Sequence, residues 1–479
     1  MSLLIKGGEV IDGLGGAPKK SDVLIIGRRI AALGDFPAYK ANRIISATGS
    51  LIFPGFIDIS SVSDHRLSLL SEPDQADFLR QGVTTIVCGA EGKSLAPAMY
   101  AGDVSSSNAG WRGMGEYLNS VQTLHPGVNF TSFLGYETLR RSLTPKPRNL
   151  GVKEIGVLSH ILGQEFADNS VGVSVGDRGF AEFDASEEEL NTLKNILLKE
   201  NKTAFIPLSA EDKSYAPFAE SGIKVIIGNL NGSLSSASAF EKIVNAIERK
   251  SPKAEFAFSF SPYPYHRFKA ADILPKSVNR EKSVGLIDAL KKKRFFGFLS
   301  KRTRAFDPQE TFIFSAPRKE MKFLLGKSVA EFAANRGIVP EEAFVRIVSM
   351  CGADTEFLTR MADRELIEKI ASHGRSIIGS SGWSPMSKIS IKHRELSDPF
   401  AEFIRLSDRL GIRPELVGKK LSAPARILGF RKRGVIKEGY AADITIVKNN
   451  RPEITIVNGE IAFEEGSFNN VHSGEIVNI

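Results

Sequence analysis

The sequence predicts an α/β fold: a (β/α)8 TIM-like barrel joined to a small β-sandwich built from both chain termini. Three observations lead there. Eight short apolar runs, separated by segments of helical periodicity, fill the middle of the chain. Both ends instead alternate like short antiparallel strands, with glycine turns between them. At 479 residues and 42% hydrophobic content, the chain has the material for one large barrel core and a satellite domain.

The elements follow in order. Leu3–Ile11 and Asp22–Ile26 alternate, with turns at Gly7-Gly8, Asp12-Gly13 and Gly27. Ala442–Val447, Ile454–Val457 and the turn Asn458-Gly459 return to the same texture, so residues 1–52 and 431–479 are assigned to one composite domain. Residues 53–430 make the barrel. Its strands are expected at Phe56–Ser60, Thr84–Gly89, Asn129–Gly135, Val171–Gly176, Thr203–Ser209, Lys224–Leu230, Glu255–Ser261 and Ser376–Ser381. Ser71 reads as the N-cap of a helix with Pro73 in its first turn and an end at Gly82. Ser186 and Glu189 read as a capping box ahead of the Leu190, Leu193, Leu197 stripe. Phe240, Ile243, Val244 and Ile247 give one apolar helix face. The stretch from 265 to 375 is too long for one crossover. Its first part, at about 266–320, reads as a lid insertion rich in Lys, Arg and Phe, and the part from Lys327 to Ala371 as helical.

Composition excludes several classes. No apolar run approaches bilayer length, and the N-terminus lacks the pattern of a secretory signal. Two cysteines, Cys88 and Cys351, make no disulfide framework, and a cytoplasmic location is expected. The formal charge of +8 is concentrated at Lys291–Arg294, Lys301–Arg304 and Arg431–Arg433. These clusters suit an acidic ligand or a solvated face. Without a nucleic-acid-binding motif or a stacking platform, no nucleic-acid partner and no membrane partner are expected.

A set of motifs in fixed order then carries a resemblance. It runs LLIKGGEVIDG, GRRIAALG, PGFID, GVTTIV, Ser94-Leu95-Ala96-Pro97, Trp111 with Tyr117-Leu118, and Leu134-Gly135. It continues through Gly172–Gly176, Tyr263-Pro264-Tyr265, Ile377–Ser380, SAPARILGF and RGVIKEGYAADI to Val457-Asn458-Gly459. Together these resemble the N-acyl-D-amino-acid deacylase (D-aminoacylase) branch of the amidohydrolase superfamily. The resemblance implies a barrel of the metal-dependent hydrolase type that cleaves amide carbon–nitrogen bonds. It also implies zinc at the strands' C-terminal ends, where it activates a water, and an aspartate on the last strand that shuttles the proton.

At the positions the resemblance assigns to chemistry, this chain differs. Where the family has His-x-His it has Ser60-Ser61-Val62. Alternation places 58, 60 and 62 on one face, toward the barrel mouth. Serine is a poor zinc ligand and valine has no lone pair. The metal-binding cysteine is replaced by Glu91, the Gly-His of the third strand by Gly135-Tyr136, and the His-x-Arg of the fifth by Pro207-Leu208-Ser209. Glu211 matches a nearby acid of the family. Asn229 stands in place of the sixth-strand histidine, and Ser381 in place of the catalytic aspartate, where a hydroxyl without its own base is no general base at neutral pH.

Two readings follow. In the first, the metal and catalytic motifs are degenerate, no catalytic residue is intact, and no cofactor is expected. The chain is then a pseudoenzyme whose mouth meets a small-molecule ligand or protein partner through Ser60, Val62, Asp64, Glu91, Tyr136, Pro207, Asn229, Tyr265 and Ser381. In the second, an active amidohydrolase uses a carboxylate-based site of Glu91, Asp64 and His65, with Asp58 and Glu211, to hold Mg²⁺ or Mn²⁺.

Overall fold

The computed structural model describes residues 2–97, 110–144, 148–176, 180–208, 218, 220–228, 230–234, 236–250, 255–273, 307–384 and 398–479. Eight parallel barrel strands form at the expected places. They are Phe56–Asp58, Val83–Cys88, Asn129–Ser132 with its extension Leu134–Gly135, Gly172–Ser174, Thr203–Pro207, Lys224–Gly228, Phe256–Phe260 and Ser376–Ile378. Their near-continuous Val, Ile and Phe content suits strands buried on both faces, and all but the edge residue Lys224 are buried.

Each barrel strand pairs in parallel with the next, in chain order. The ring closes between the last strand and the first. Ser380 N donates to Asp58 Oδ1 at 3.0 Å, and Val62 N to the Gly382 carbonyl at 2.9 Å. Gly379 permits this approach, because a Cβ there would lie 2.4 Å from Ser60 Oγ.

The helix Met114–Gln122 follows the second strand, Tyr136–Leu143 and Val152–Ala167 the third, Glu187–Lys199 the fourth and Ala237–Lys250 the sixth. Ser186 Oγ accepts from Glu189 N at 3.2 Å, which caps that helix. Ser71 differs from expectation: it ends a short helix, Ser68–Ser71, and a second, Ala76–Leu79, follows. Gln75 breaks the run at φ +50 and spends its side-chain amide on the Ser68 and Glu72 carbonyls. After the eighth strand come Pro399–Arg409 and Pro414–Leu428, each opened by a proline whose fixed φ suits the first helical turn.

The chain ends form two sheets. One orders Arg29–Gly34, Asp22–Ile26, Ser2–Lys6 and Arg43–Ser46; the other holds seven strands, including Leu51–Pro54, Ile444–Lys448, Arg451–Val457 and Glu460–Glu464. Leu3, Ile5, Val23 and Ile25 of the first share a core with Ile52, Ile444, Ile446 and Ile456 of the second. Between the seventh and eighth barrel strands lies an antiparallel sheet of Tyr265–Lys269, Glu356–Arg360 and Thr311–Ser315. It packs on the helices Val329–Ala334 and Pro340–Cys351 around Phe344 and Phe357. Most of the expected lid, 274–306, lies outside the described residues. No described helix is long and apolar enough to cross a membrane.

Candidate functional site at the barrel mouth

The first strand leads into the mouth, and its alternate residues all address the last strand. Asp58 is fully buried; its Oδ1 accepts from Ser60 N and Ser380 N, and Ser380 Oγ donates to Oδ2. Burial pushes its carboxyl up to about 6, although the Ser380 and Ser60 hydrogen bonds oppose the shift. Ser60 Oγ accepts from Ser381 N at 3.4 Å, and Ser381 holds a left-handed φ of +48. The structure therefore brings Ser60 and Ser381 together, as a hydroxyl pair tied to backbone.

Val62 sits at the centre of an apolar plug. It is 2% exposed and clusters with Phe314, Leu358 and Trp383, with Tyr265 at the edge. Phe314 meets the Trp383 ring edge-on at 5.9 Å. The inserted sheet supplies Phe314, Leu358 and Tyr265, so it is this sheet that fills the mouth. Tyr265 Oη donates to Glu310 at 2.9 Å.

Two arginines flank the plug. The guanidinium of Arg66 lies 4.5 Å from the Trp383 ring centre and that of Arg267 lies 5.1 Å from it, both within cation–π range. Arg66 pairs with the buried carboxylate of Glu356, which also accepts from Ser315 Oγ at 2.9 Å. Arg267 stands 3.7 Å from Glu91. Desolvation raises the carboxyls of the partly exposed Glu91 and the buried Glu356, but Arg267, with Arg66, holds both below the usual range. Burial likewise drives His266 down to about 4, so it stays neutral at physiological pH.

Asp64 lies behind this layer with no exposure. Its Oδ2 accepts from Gly89 N at 2.9 Å and stands 3.6 Å from His65 Nε2, while burial raises its pKa. His65 is spent on the Lys93 carbonyl. Among the described residues, Asp64 Oδ1, Arg267 Nη1 and Trp383 Nε1 are buried without a hydrogen-bond partner.

The other expected positions separate. Tyr136 opens the helix Tyr136–Leu143 instead of ending the third strand, and this turns it into the helix layer. There its ring packs edge-on against Phe180 and Phe183 and its hydroxyl donates to Glu189, so it lies with the hydrophobic core instead of joining the Val62 cluster. Pro207 ends the fifth strand, buried and opposite Gly228. Asn229 and Glu211 lie outside the described residues.

Zinc does not fit this donor set. Ser60 is a weak zinc donor and Val62 has no lone pair, and among the described residues no three His, Cys, Asp or Glu side chains gather to hold a metal ion. The carboxylate set is also dispersed: Asp58 answers Ser380, Asp64 answers Gly89, and Glu91 faces Arg267. Sequence reasoning missed Arg66, Arg267, Glu356 and Trp383. Trp383 carried a signal, since it follows the Ser380-Ser381-Gly382 segment directly.

No protein-family model matches the chain. It is 25% identical over 471 residues to the N-acyl-D-glutamate deacylase of Alcaligenes xylosoxydans xylosoxydans, covering 93% of this chain and 87% of that one. To the D-aminoacylase of the same organism it is 25% identical over 510 residues, covering 99% and 97%. The structure superposes on the crystal structure of the N-acyl-D-glutamate deacylase from Bordetella bronchiseptica, which carries zinc and a phosphonate inhibitor. That match has a TM-score of 0.79 at 21% identity and covers 100% of this chain and 99% of that one.

Proposed function

The chain is homologous along its length to the N-acyl-D-amino-acid deacylases of the amidohydrolase superfamily, and from that premise we propose that it is a pseudoenzyme. It keeps their barrel for binding a small ligand or a partner and does not hydrolyse amides. Fold kinship by itself does not license an activity. The observation that carries the reading is Val62, which holds a place the resemblance assigns to a metal donor and is built into an apolar plug with Trp383, Phe314 and Leu358. A lost ligand alone would leave a hole, whereas here the space is packed.

The unfilled polar atoms support binding. Buried donors left unpaired cost about 1–3 kcal/mol each unless something answers them. Arg267 Nη1 and Trp383 Nε1 are such donors beside the partly exposed Glu91. A carboxylate or amide oxygen, the chemistry of an N-acyl amino acid, is the kind of acceptor that would answer either donor.

Metal analysis with an activity assay tests this. The purified full-length chain is expected to carry well under one equivalent of zinc, manganese or magnesium. It should leave N-acetyl-D-glutamate and N-acetyl-D-methionine intact with any of these metals added. Tightly bound stoichiometric metal together with turnover would overturn the proposal.

A further inference from the structure

A cleft of about 460 Å³ lies at the end of the barrel opposite the mouth, where the strands begin and the terminal sheets meet them. Its volume is that of a small-molecule site. Four cations from distant parts of the sequence converge on it: Arg29, Lys202, Arg431 and Lys432. Among the described residues, no Asp or Glu side chain lines it.

Two of the four have structural duties. Lys202 Nζ donates to the Ser170 carbonyl at 2.9 Å, beyond the end of the helix Val152–Ala167, and lies 5.7 Å from the Phe166 ring centre. Arg29 Nη1 donates to the Gly439 carbonyl at 3.0 Å. Arg431 and Lys432 make no ion pair among the described residues, yet their backbone is held firmly: Arg431 N donates to the Asn478 carbonyl at 3.0 Å and Ala441 N to the Lys432 carbonyl at 2.9 Å. Lys432 takes a left-handed φ of +53, unfavourable for a side-chain-bearing residue. Like charges held together on a fixed backbone repel, and an anion in the cleft would relieve that repulsion.

We propose that this cleft binds a phosphoryl group carried by a small phosphorylated molecule. Two arginine forks and two lysine point charges suit the several oxygens of a dianion better than a single carboxylate. The site is separate from the mouth and independent of whether the mouth hydrolyses anything.

Titration calorimetry of the full chain at low ionic strength, with inorganic pyrophosphate as the probe, tests the assignment. Pyrophosphate is expected to bind and to raise the melting temperature. The double variant Arg431→Gln, Lys432→Gln should weaken binding about tenfold or more. Both side chains are exposed, so unchanged circular dichroism is expected, and Arg29→Gln supplies a second variant with a smaller loss. Absence of pyrophosphate binding would overturn the proposal, as would equal affinity in the double variant. Citrate binding as tightly as pyrophosphate would overturn the phosphoryl assignment.

Discussion

Two polar clusters in this molecule are built in opposite ways. At the junction of barrel and terminal sheets, Arg433 pairs with Asp443 and Glu475 and donates to Asn458 Oδ1 at 3.0 Å. Asn458 in turn donates from its backbone to Asp443 and from its side chain to Asn129 Oδ1 at 2.7 Å. At the mouth, Arg66, Arg267, Glu91 and Glu356 also pair, but Asp64, Arg267 and Trp383 each keep an unanswered buried atom among the described residues. A closed network holds a scaffold together, while an open one leaves capacity for something else. The difference separates a junction whose described polar groups answer one another from a mouth where some do not.

The largest effect should come from the closed cluster. Arg433→Met leaves Asp443 buried without its counter-charge, and breaking such a pair from one side costs about 3–5 kcal/mol. The midpoint of urea unfolding should fall accordingly. A loss below about 1 kcal/mol would place the junction in the same class as the mouth and dissolve the contrast.

Asp58 sharpens the comparison through pH. Its folded pKa of about 6 lies above the ordinary 3.8, so the folded chain binds a proton that the unfolded chain releases. Its contribution is fully present below about 3.8 and is lost as pH rises through about 6, a change of up to about 3 kcal/mol by pH 7. Asp58→Asn carries no such titration. The stability of the variant relative to the parent should therefore climb between pH 4 and pH 7; a flat difference would mean that Asp58 is not desolvated as described.

How much of this was legible in the sequence depends on how local each signal is. The barrel strands were visible because runs such as Val83–Cys88 are β-branched and buried on both faces, a pattern that needs no partner to be recognised. The expectation that Asp58, Ser60 and Val62 share one face toward the mouth came from alternation alone. The Trp383 plug did not, because it joins residues 62, 66, 267, 314, 356, 358 and 383, and only tertiary packing selects those partners. Tyr136 goes with the helix layer because the strand ends at Gly135 and the helix starts at the very next residue, a boundary that the run Leu134-Gly135-Tyr136 does not mark. Likewise Gln75, at positive φ, divided the helix expected from Ser71 onward.

Glu91 gives the smallest expected effect and the sharpest choice between the two readings of the mouth. Its side chain is 42% exposed and its arginine partner is 3.7 Å away, so Glu91→Gln should change stability by less than about 1 kcal/mol. Were Glu91 a metal ligand, Mn²⁺ would bind the folded chain preferentially and raise the parent's melting temperature, and the Gln variant would lose that rise. The dispersed carboxylates argue otherwise: parent and variant should both melt at temperatures indifferent to millimolar Mn²⁺. A rise seen in the parent and abolished in the variant would make the open cluster at the mouth a metal centre.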